Sequence, residues 1–453
     1  MREINPGIFR AYDIRGIYPK DIDEEFANLV GKAFGTYIGA GKKVLLGRDV
    51  RKSSPSLAES AAKGILEMGV DVVDAGVIPT PLLYFAISRY SLDGGITVSA
   101  SHNPPEWNGF KMCKKDAYVI GSDSGQAELK RMIENGRFSK AKIPGEMVDK
   151  SKEILAEYLH DISEGIAVRK GLKIGVDPGN GAYSGIASGL LKKKGAEVYA
   201  ISDRPDGSFP SRSPEPKATT ITELIKLVTT KGLDFGVAFD GDGDRALFVT
   251  ENGAVIPGDI LLALFVREYV KKGDKVVYEV SCSSAVEDEI KAKGGVPRLI
   301  RVGHSYFKNT MKSEQCRFGG EISGHMYFKE VYGSDDGLYA ALKVADMLSK
   351  SGRSFSEMVA KLPKYSKTYM EFDADDAVKF RIIDRLKDTL KNTGRIIDVD
   401  GVKVITDRGW FVLRASNTTP KVKCSAEGRT EEDMRYMLST AEREFRYASE
   451  AVR

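Results

Sequence analysis

The stretch Asp234–Arg245, DFGVAFDGDGDR, is a short apolar run that ends in three carboxylates, Asp240, Asp242 and Asp244, alternating with glycines. Apolar runs of this length bounded by turn residues read as buried strands. The glycines let the chain curl after the strand, so that all three carboxylates can point to one side. Three converging negative charges repel unless a cation sits among them, and carboxylate oxygens are the hard donors that suit Mg²⁺ or Ca²⁺. An EF-hand is the first competing reading, with aspartates at loop positions 1, 3 and 5 and Glu251 at position 12. It fails because Arg245 stands where that loop needs glycine, and because strands flank the segment where helices should. A plain solvated acidic turn is the other alternative, but bare carboxylates beside a buried strand are costly.

Outward from this stretch, strand-like runs alternate with helical patterns. KVLLGRD (43–49) is a strand, and Ser53-Ser54-Pro55 opens a helix that runs to Met68. The alternation continues through VDVVDAGVIPT, the helical PTPLLYFAISRY and GGITVSAS. It resets at LKIGVDPGNGA (172–182) and again at DILLALFVREYV (259–270). Such alternation means α/β units on mixed or parallel sheets. The tail differs: KTYMEFD reads as a strand, Ala374–Leu390 as a helix, and VDGVKVITDRGWFVLRAS as a hairpin turning near Thr406–Gly409. Thr430 opens a last amphipathic helix as a capping-box variant. The expected architecture is three similar α/β domains (1–149, 150–252 and 253–364) and a smaller α+β domain (365–453).

Three more loops carry chemistry. TVSASHNPPEWNGFK (97–111) follows a strand, and Pro104-Pro105 and Asn108-Gly109 stiffen and turn it. Ser101 on that loop, with His102 beside it and Lys111 beyond, is a candidate nucleophile, although an ordinary loop serine is as good a reading of that motif alone. No G-x-S-x-G elbow exists, which disfavours an α/β-hydrolase. GEISGH (320–325) places Glu321, Ser323 and His325 on a glycine-framed loop, a set that suits hydroxyl-bearing ligands. RASNTTP (414–420) joins Arg414 to Ser416, Asn417, Thr418 and the backbone of a turn, which together make an anion cradle. Gly303-His304 and Lys308 add cationic groups after another strand. The loop DPGNGA (177–182) is too short for a Walker motif and reads as a structural turn.

The bulk numbers exclude other classes. A net charge of +4 from 68 basic and 64 acidic residues, with no basic block, argues against a nucleic-acid partner. Four well-separated cysteines give no CxxC pair, so neither a zinc site nor a disulfide framework is expected. The first residues lack an apolar leader, and Ile260–Val266 is far too short to span a membrane. A cytoplasmic chain without membrane partners is the expectation.

FRAYDIRG (9–16), TVSASHNP, DGDGDR, GEISGH and RASNTTP, in this order, resemble the α-D-phosphohexomutase superfamily over essentially the whole chain. The resemblance implies four domains around a central cleft, each giving one loop. It implies that Ser101 carries a phosphoryl group and that Asp240, Asp242 and Asp244, with the serine, hold one Mg²⁺ per chain. Arg245, Lys111, His102, His325 and Arg15 match catalytic positions. Tyr12, His304, Lys308, Glu321 and Ser323 match groups that face the sugar, and Arg414, Ser416, Asn417 and Thr418 match a clamp for the non-reacting phosphate. Small sugar phosphates are the implied partners, and a hexose 1,6-bisphosphate the implied intermediate and activator. A monomer is expected, with a dimer as the alternative. The apolar middle of GEISGH and the RASNTTP loop look like the bispecific phosphomannomutase/phosphoglucomutase branch rather than phosphoglucosamine mutases. A metal-dependent sugar phosphatase is the remaining alternative. Ser281 stands where that branch carries a lysine.

Overall fold

The computed structural model describes residues 5–122, 124–391, 393–416 and 419–452. They form two compact units. The first runs to Pro257 and takes in Lys308–Gln315 and Ser323–Met358. The second comprises Gly258–Phe307, Cys316–Ile322 and the chain from Val359 onward.

The first unit holds two mixed sheets. In one, Gly94–Val98, Lys43–Arg48, Asp71–Val77 and Met147–Asp149 run parallel, while Trp107–Lys114 and then Ile14–Ile17 extend the sheet antiparallel. The strand Gly94–Val98 is buried along its whole length, as expected for a strand covered on both faces. Helices Glu24–Ile38 and Ser54–Glu67 pack against each other at very short range. A Cβ on Gly31 would lie 2.1 Å from the Ala61 carbonyl, so only glycine lets the two backbones meet. In the other sheet Phe235–Phe239, Lys173–Asp177 and Glu197–Ala200 are parallel, and Ala246–Thr250 folds back antiparallel. The metal-loop stretch is therefore a hairpin connection at the end of a fully buried strand.

Also in the first unit, the helix Gly337–Ser351 is buried over most of its length and is capped by Asp336, which accepts from the Tyr339 amide. Asp336 also takes the hydroxyls of Tyr158 and Tyr183. Burial pushes its carboxyl up to about 6, against those hydrogen bonds. The folded protein thus binds this proton more tightly than the unfolded chain. The associated stability is full below about pH 4 and is lost as pH rises through about 6. Relative to Asp336→Asn, the wild-type protein should lose about 2–3 kcal/mol between pH 4 and pH 8, read by chemical denaturation at each pH.

In the second unit, Lys275–Glu279 lies parallel to Val296–Ile300 on one side and to Phe318–Gly320 on the other. Ser366–Asp373, Lys421–Gly428, Gly409–Ala415, Val402–Ile405 and Arg395–Ile397 make an antiparallel sheet, covered by helices Lys379–Thr389 and Glu431–Val452. The hairpin turns at residues 406–408, and the Thr430 hydroxyl accepts from the Asp433 amide, as the sequence predicts. One helix starts late: the pattern predicts it from Ala374, but it opens at Lys379. Asp375 and Asp376 are poor helix formers, and Asp375 instead uses its carbonyl to receive the Val378 and Lys379 amides in the turn before the helix.

All four cysteines are free and buried. Among the described residues no helix is long and apolar enough to cross a membrane.

Candidate active site

In the first unit, the loop after Gly94–Val98 meets the loop after Phe235–Phe239. Ser101 is buried and holds a left-handed backbone, with φ of 50°. Its Oγ donates to Asp240 Oδ2 at 3.0 Å and lies 3.2 Å from His102 Nδ1. Non-glycine residues adopt this conformation only when their surroundings impose it. Arg51 is the imposing group. Its buried guanidinium is anchored on Asp49 and donates to the carbonyls of Ser101, Asn103, Pro104 and Trp107. Arg15 adds bonds to the Ala100 carbonyl and the Asn103 side chain.

Sequence reading misses Arg51, since GRDVRKSS looks only like a strand running into a helix start. The available signal is Asp49-x-Arg51 at a strand end, a charge pair where the chain is about to be buried. Arg51→Met should lower stability by about 3–5 kcal/mol in denaturant titration, because Asp49 and four carbonyls lose their partner.

The three aspartates converge as predicted, and all are buried. Asp240 Oδ1 accepts the amides of Gly243 and Arg245, which shapes the loop. Lys111 Nζ lies 2.6 Å from both Asp242 Oδ2 and Asp244 Oδ2. Burial favours its neutral amine, but the two carboxylates outweigh that and keep it charged. Despite burial, Lys111 also draws Asp242 below the usual carboxylate range, and Asp244 falls to about 2. Asp240 goes the other way, raised by burial and by repulsion from Asp244 and Asp242. Asp242 Oδ1 and Asp244 Oδ1 are buried without a hydrogen-bond partner. Orphaned carboxylate oxygens and mutual repulsion are what a divalent cation relieves, so the residues present fit a metal ion. The DPGNGA turn supports this loop from below: the Ala182 amide donates to the Gly241 carbonyl, and a Cβ on Gly181 would lie 2.7 Å from that oxygen.

Arg245 leaves the metal loop and donates from Nε to His325 Nε2 at 2.9 Å. His325 Nδ1 lies 2.7 Å from Asp335 Oδ2. Burial lowers the imidazole pKa, yet Asp244 and Asp335 outweigh it and the net shift is upward. His102 is shifted well below its ordinary value by burial and by Arg245, Arg15 and Lys111. Ser323 is exposed and Tyr12 half-buried. Lys308, expected among the groups facing the sugar, is buried, with Nζ 2.9 Å from Asp335 Oδ1 and 3.2 Å from the centre of the Tyr84 ring.

The second unit carries the remaining groups. Glu321 is buried, and Glu279 accepts the next amide, that of Ile322. His304 opens the helix His304–Ser313 and is half-buried. Arg414 ends the strand Gly409–Ala415 with its guanidinium 4.0 Å from Asp400. Ser416 Oγ accepts from the Thr419 amide and hydroxyl. Lys379 braces the loop by donating to the carbonyls of Ser416 and Thr419, a role no local motif announces. Asn417 and Thr418 lie outside the described residues.

A strained serine on a braced loop, set against an acidic metal cradle with a lysine, an arginine and a histidine–aspartate pair, is the equipment of a metal-assisted group-transfer protein on an α/β scaffold. The comparisons with known proteins are consistent with that class. The models "Phosphoglucomutase/phosphomannomutase, alpha/beta/alpha domain" I, II and III match residues 6–140, 156–253 and 257–365, and the C-terminal domain model matches 367–440. The chain belongs to the phosphoglucomutase/phosphomannomutase family. It is 36% identical to the phosphomannomutase/phosphoglucomutase of Pseudomonas aeruginosa PAO1, over 94% of this chain and 93% of that one. It is 33% identical to the probable phosphoglucosamine mutase of Methanothermobacter thermautotrophicus, over 96% and 97%. A solved phosphoglucomutase/phosphomannomutase family protein from Burkholderia thailandensis superposes with a TM-score of 0.93 at 32% identity, covering 100% and 99% of the two chains.

Proposed function

We propose that the protein is an isomerase that reversibly moves a phosphoryl group between the 1- and 6-positions of mannose and glucose phosphates through phospho-Ser101. The observation that carries this reading is the placement of Ser101 Oγ, buried and 3.0 Å from the first aspartate of the metal cradle. The cradle suits Mg²⁺, which when bound would withdraw charge from the transferring phosphoryl group. Lys111 and Arg245 add fixed positive charge at the same place. A sugar hydroxyl oxygen attacks phosphorus, the new O–P bond forms as the Oγ–P bond breaks, and the hydroxyl proton passes to a base of the site, for which His325 is the first candidate and His102 the alternative. The product is a hexose 1,6-bisphosphate. Return of its other phosphate to Ser101 releases the isomerised monophosphate and regenerates the phosphoenzyme. Glu321 and Ser323 read sugar hydroxyls, with Tyr12 and His304 as further sugar contacts. The protein works in the cytoplasm as a monomer.

The test is a panel of mannose, glucose and glucosamine 1-phosphates with Mg²⁺ and a trace of hexose bisphosphate. Conversion of mannose 1-phosphate and of glucose 1-phosphate to the corresponding 6-phosphates is expected. Turnover of glucosamine phosphate alone would favour the phosphoglucosamine mutase reading, and release of inorganic phosphate would favour a phosphatase.

Arg414 belongs to this reading as the holder of the phosphate that does not react. A two-point arginine–phosphate contact contributes about 2–3 kcal/mol. Because the contact is made throughout the cycle, its loss should fall mainly on binding. Arg414→Ala should therefore raise KM for glucose 1-phosphate roughly tens of fold, with a smaller fall in kcat. An unchanged KM would make Arg414 a structural residue of its hairpin.

A further inference from the structure

We infer that Thr80 is a positioning residue of the metal cradle: it grips Asp242 by backbone and side chain together, and so reserves the Oδ1 atom of that aspartate for the cation. This rests on the reading of the three aspartates as a Mg²⁺ site and deepens it. Thr80 is fully buried and opens the helix Thr80–Arg89. Its amide donates to the Asp242 carbonyl at 2.8 Å, and its hydroxyl donates to Asp242 Oδ2 at 2.5 Å. Lys111 Nζ reaches the same oxygen at 2.6 Å. An ionised carboxylate oxygen offers about two lone-pair sites, and on Oδ2 both are taken. Oδ1 is buried without a hydrogen-bond partner. A rotation of the carboxylate out of this pose would break the Thr80 and Lys111 bonds together, so the unpaired oxygen keeps one direction.

The backbone of the loop shows why this grip matters. Each carbonyl from Phe239 to Gly243 is held by a donor: Phe239 by the Arg212 guanidinium, Asp240 by the Gly243 amide, Gly241 by the Ala182 amide, Asp242 by the Thr80 amide and Gly243 by the Gly337 amide. The path of the loop is thus set on every side, and the poses of the carboxylates are left to decide how well a cation is held. Of the donors outside the loop, Thr80 alone among the described residues also bonds an aspartate side chain. Pro79 and Pro81 stiffen the chain on either side of it. The helix has no capping side chain at Pro79, and its first amide goes to Asp242.

Thr80→Ala and Thr80→Ser both lose the methyl group, and only the serine keeps a hydroxyl, so the pair isolates that one bond. Mg²⁺ binding is measured directly on the full-length protein by isothermal titration calorimetry, after EDTA treatment and dialysis. Thr80→Ala should raise the Kd for Mg²⁺ about tenfold or more, while Thr80→Ser stays within about threefold of wild type. Melting curves in EDTA are the control: a purely structural residue would lower the metal-free melting temperature and leave the Kd alone. Thr80→Val, which keeps the branched shape without the hydroxyl, takes the place of the alanine variant if that one does not fold. Wild-type Mg²⁺ affinity in either folded hydroxyl-free variant would overturn the inference, as would a serine variant that binds as weakly as the alanine one. Asp242→Asn separates the two readings. If it and Thr80→Ala both bind Mg²⁺ as wild type does, the cradle reading fails. If it binds weakly while Thr80→Ala binds as wild type does, only the positioning inference fails.

Discussion

Ser101→Ala lowers kcat by on the order of 10⁵-fold or more and leaves the fold intact; this is the largest effect the structure predicts. The change deletes one oxygen. Its two contacts, Asp240 Oδ2 and His102 Nδ1, are polar groups of the site itself and hold no part of the core. The loop is set by Arg51, which grips the Ser101 carbonyl and not its side chain, so alanine inherits the same backbone. Removing Oγ also withdraws a hydrogen bond from Asp240, a carboxyl already displaced toward its neutral form. Unfolding free energy should accordingly stay within about 1 kcal/mol of wild type. Turnover has no such reserve. Without a nucleophile the phosphoryl group has nothing to ride on, and residual activity can come only from binding and electrostatics, as when a covalent catalyst loses its attacking group. Steady-state assay with a coupled hexose phosphate readout measures kcat, and urea titration measures the fold. A variant with a tenth of wild-type activity would move the phosphoryl carrier elsewhere.

Asp242→Asn is expected to cost about 10³-fold in turnover and to shift the Mg²⁺ concentration for half-maximal activity upward by ten-fold or more. Asp242 is the most tightly tied of the three aspartates: one oxygen accepts from Lys111 and the Thr80 hydroxyl, while the other is buried without a partner. Asparagine keeps the shape and the hydrogen-bond acceptor but removes one negative charge from the cradle. In metal-free protein that removal also relieves repulsion with Asp244 and Asp240, and Lys111 retains Asp244. The metal-free variant should therefore be as stable as wild type, although the holoprotein loses the stabilisation that bound metal adds. Mg²⁺ titration of activity, paired with melting curves in EDTA and in Mg²⁺, checks both halves. Full activity of Asp242→Asn in EDTA would contradict the site.

The legible parts of the sequence were those whose chemistry is local. Three aspartates separated by glycines announce a metal loop because neighbours in sequence become neighbours in space. The hairpin at residues 406–408 and the Thr430 cap are likewise decided within a few residues. The groups that were not legible act at a distance. Arg51 reaches a loop about fifty residues away, and Asp335 gains meaning only when its short hairpin turns it toward His325. Lys308 likewise meets its neighbours, Tyr84 and Asp335, only through the fold. Local sequence reports which chemical groups are present near a strand end, and tertiary packing decides which of them face inward and which face a substrate.

The most direct test of the phosphoserine account is a transfer-and-chase experiment. Purified protein with Mg²⁺ is charged with hexose 1,6-bisphosphate labelled with ³²P in both phosphates, separated from free sugar, and divided. One half is digested and mapped; the other is mixed with unlabelled glucose 6-phosphate and its products are separated. The account predicts one labelled phosphate on the peptide containing Ser101, and passage of that label into hexose bisphosphate in the chase. Label on any other residue, or label lost to inorganic phosphate without appearing in the sugar, would contradict it.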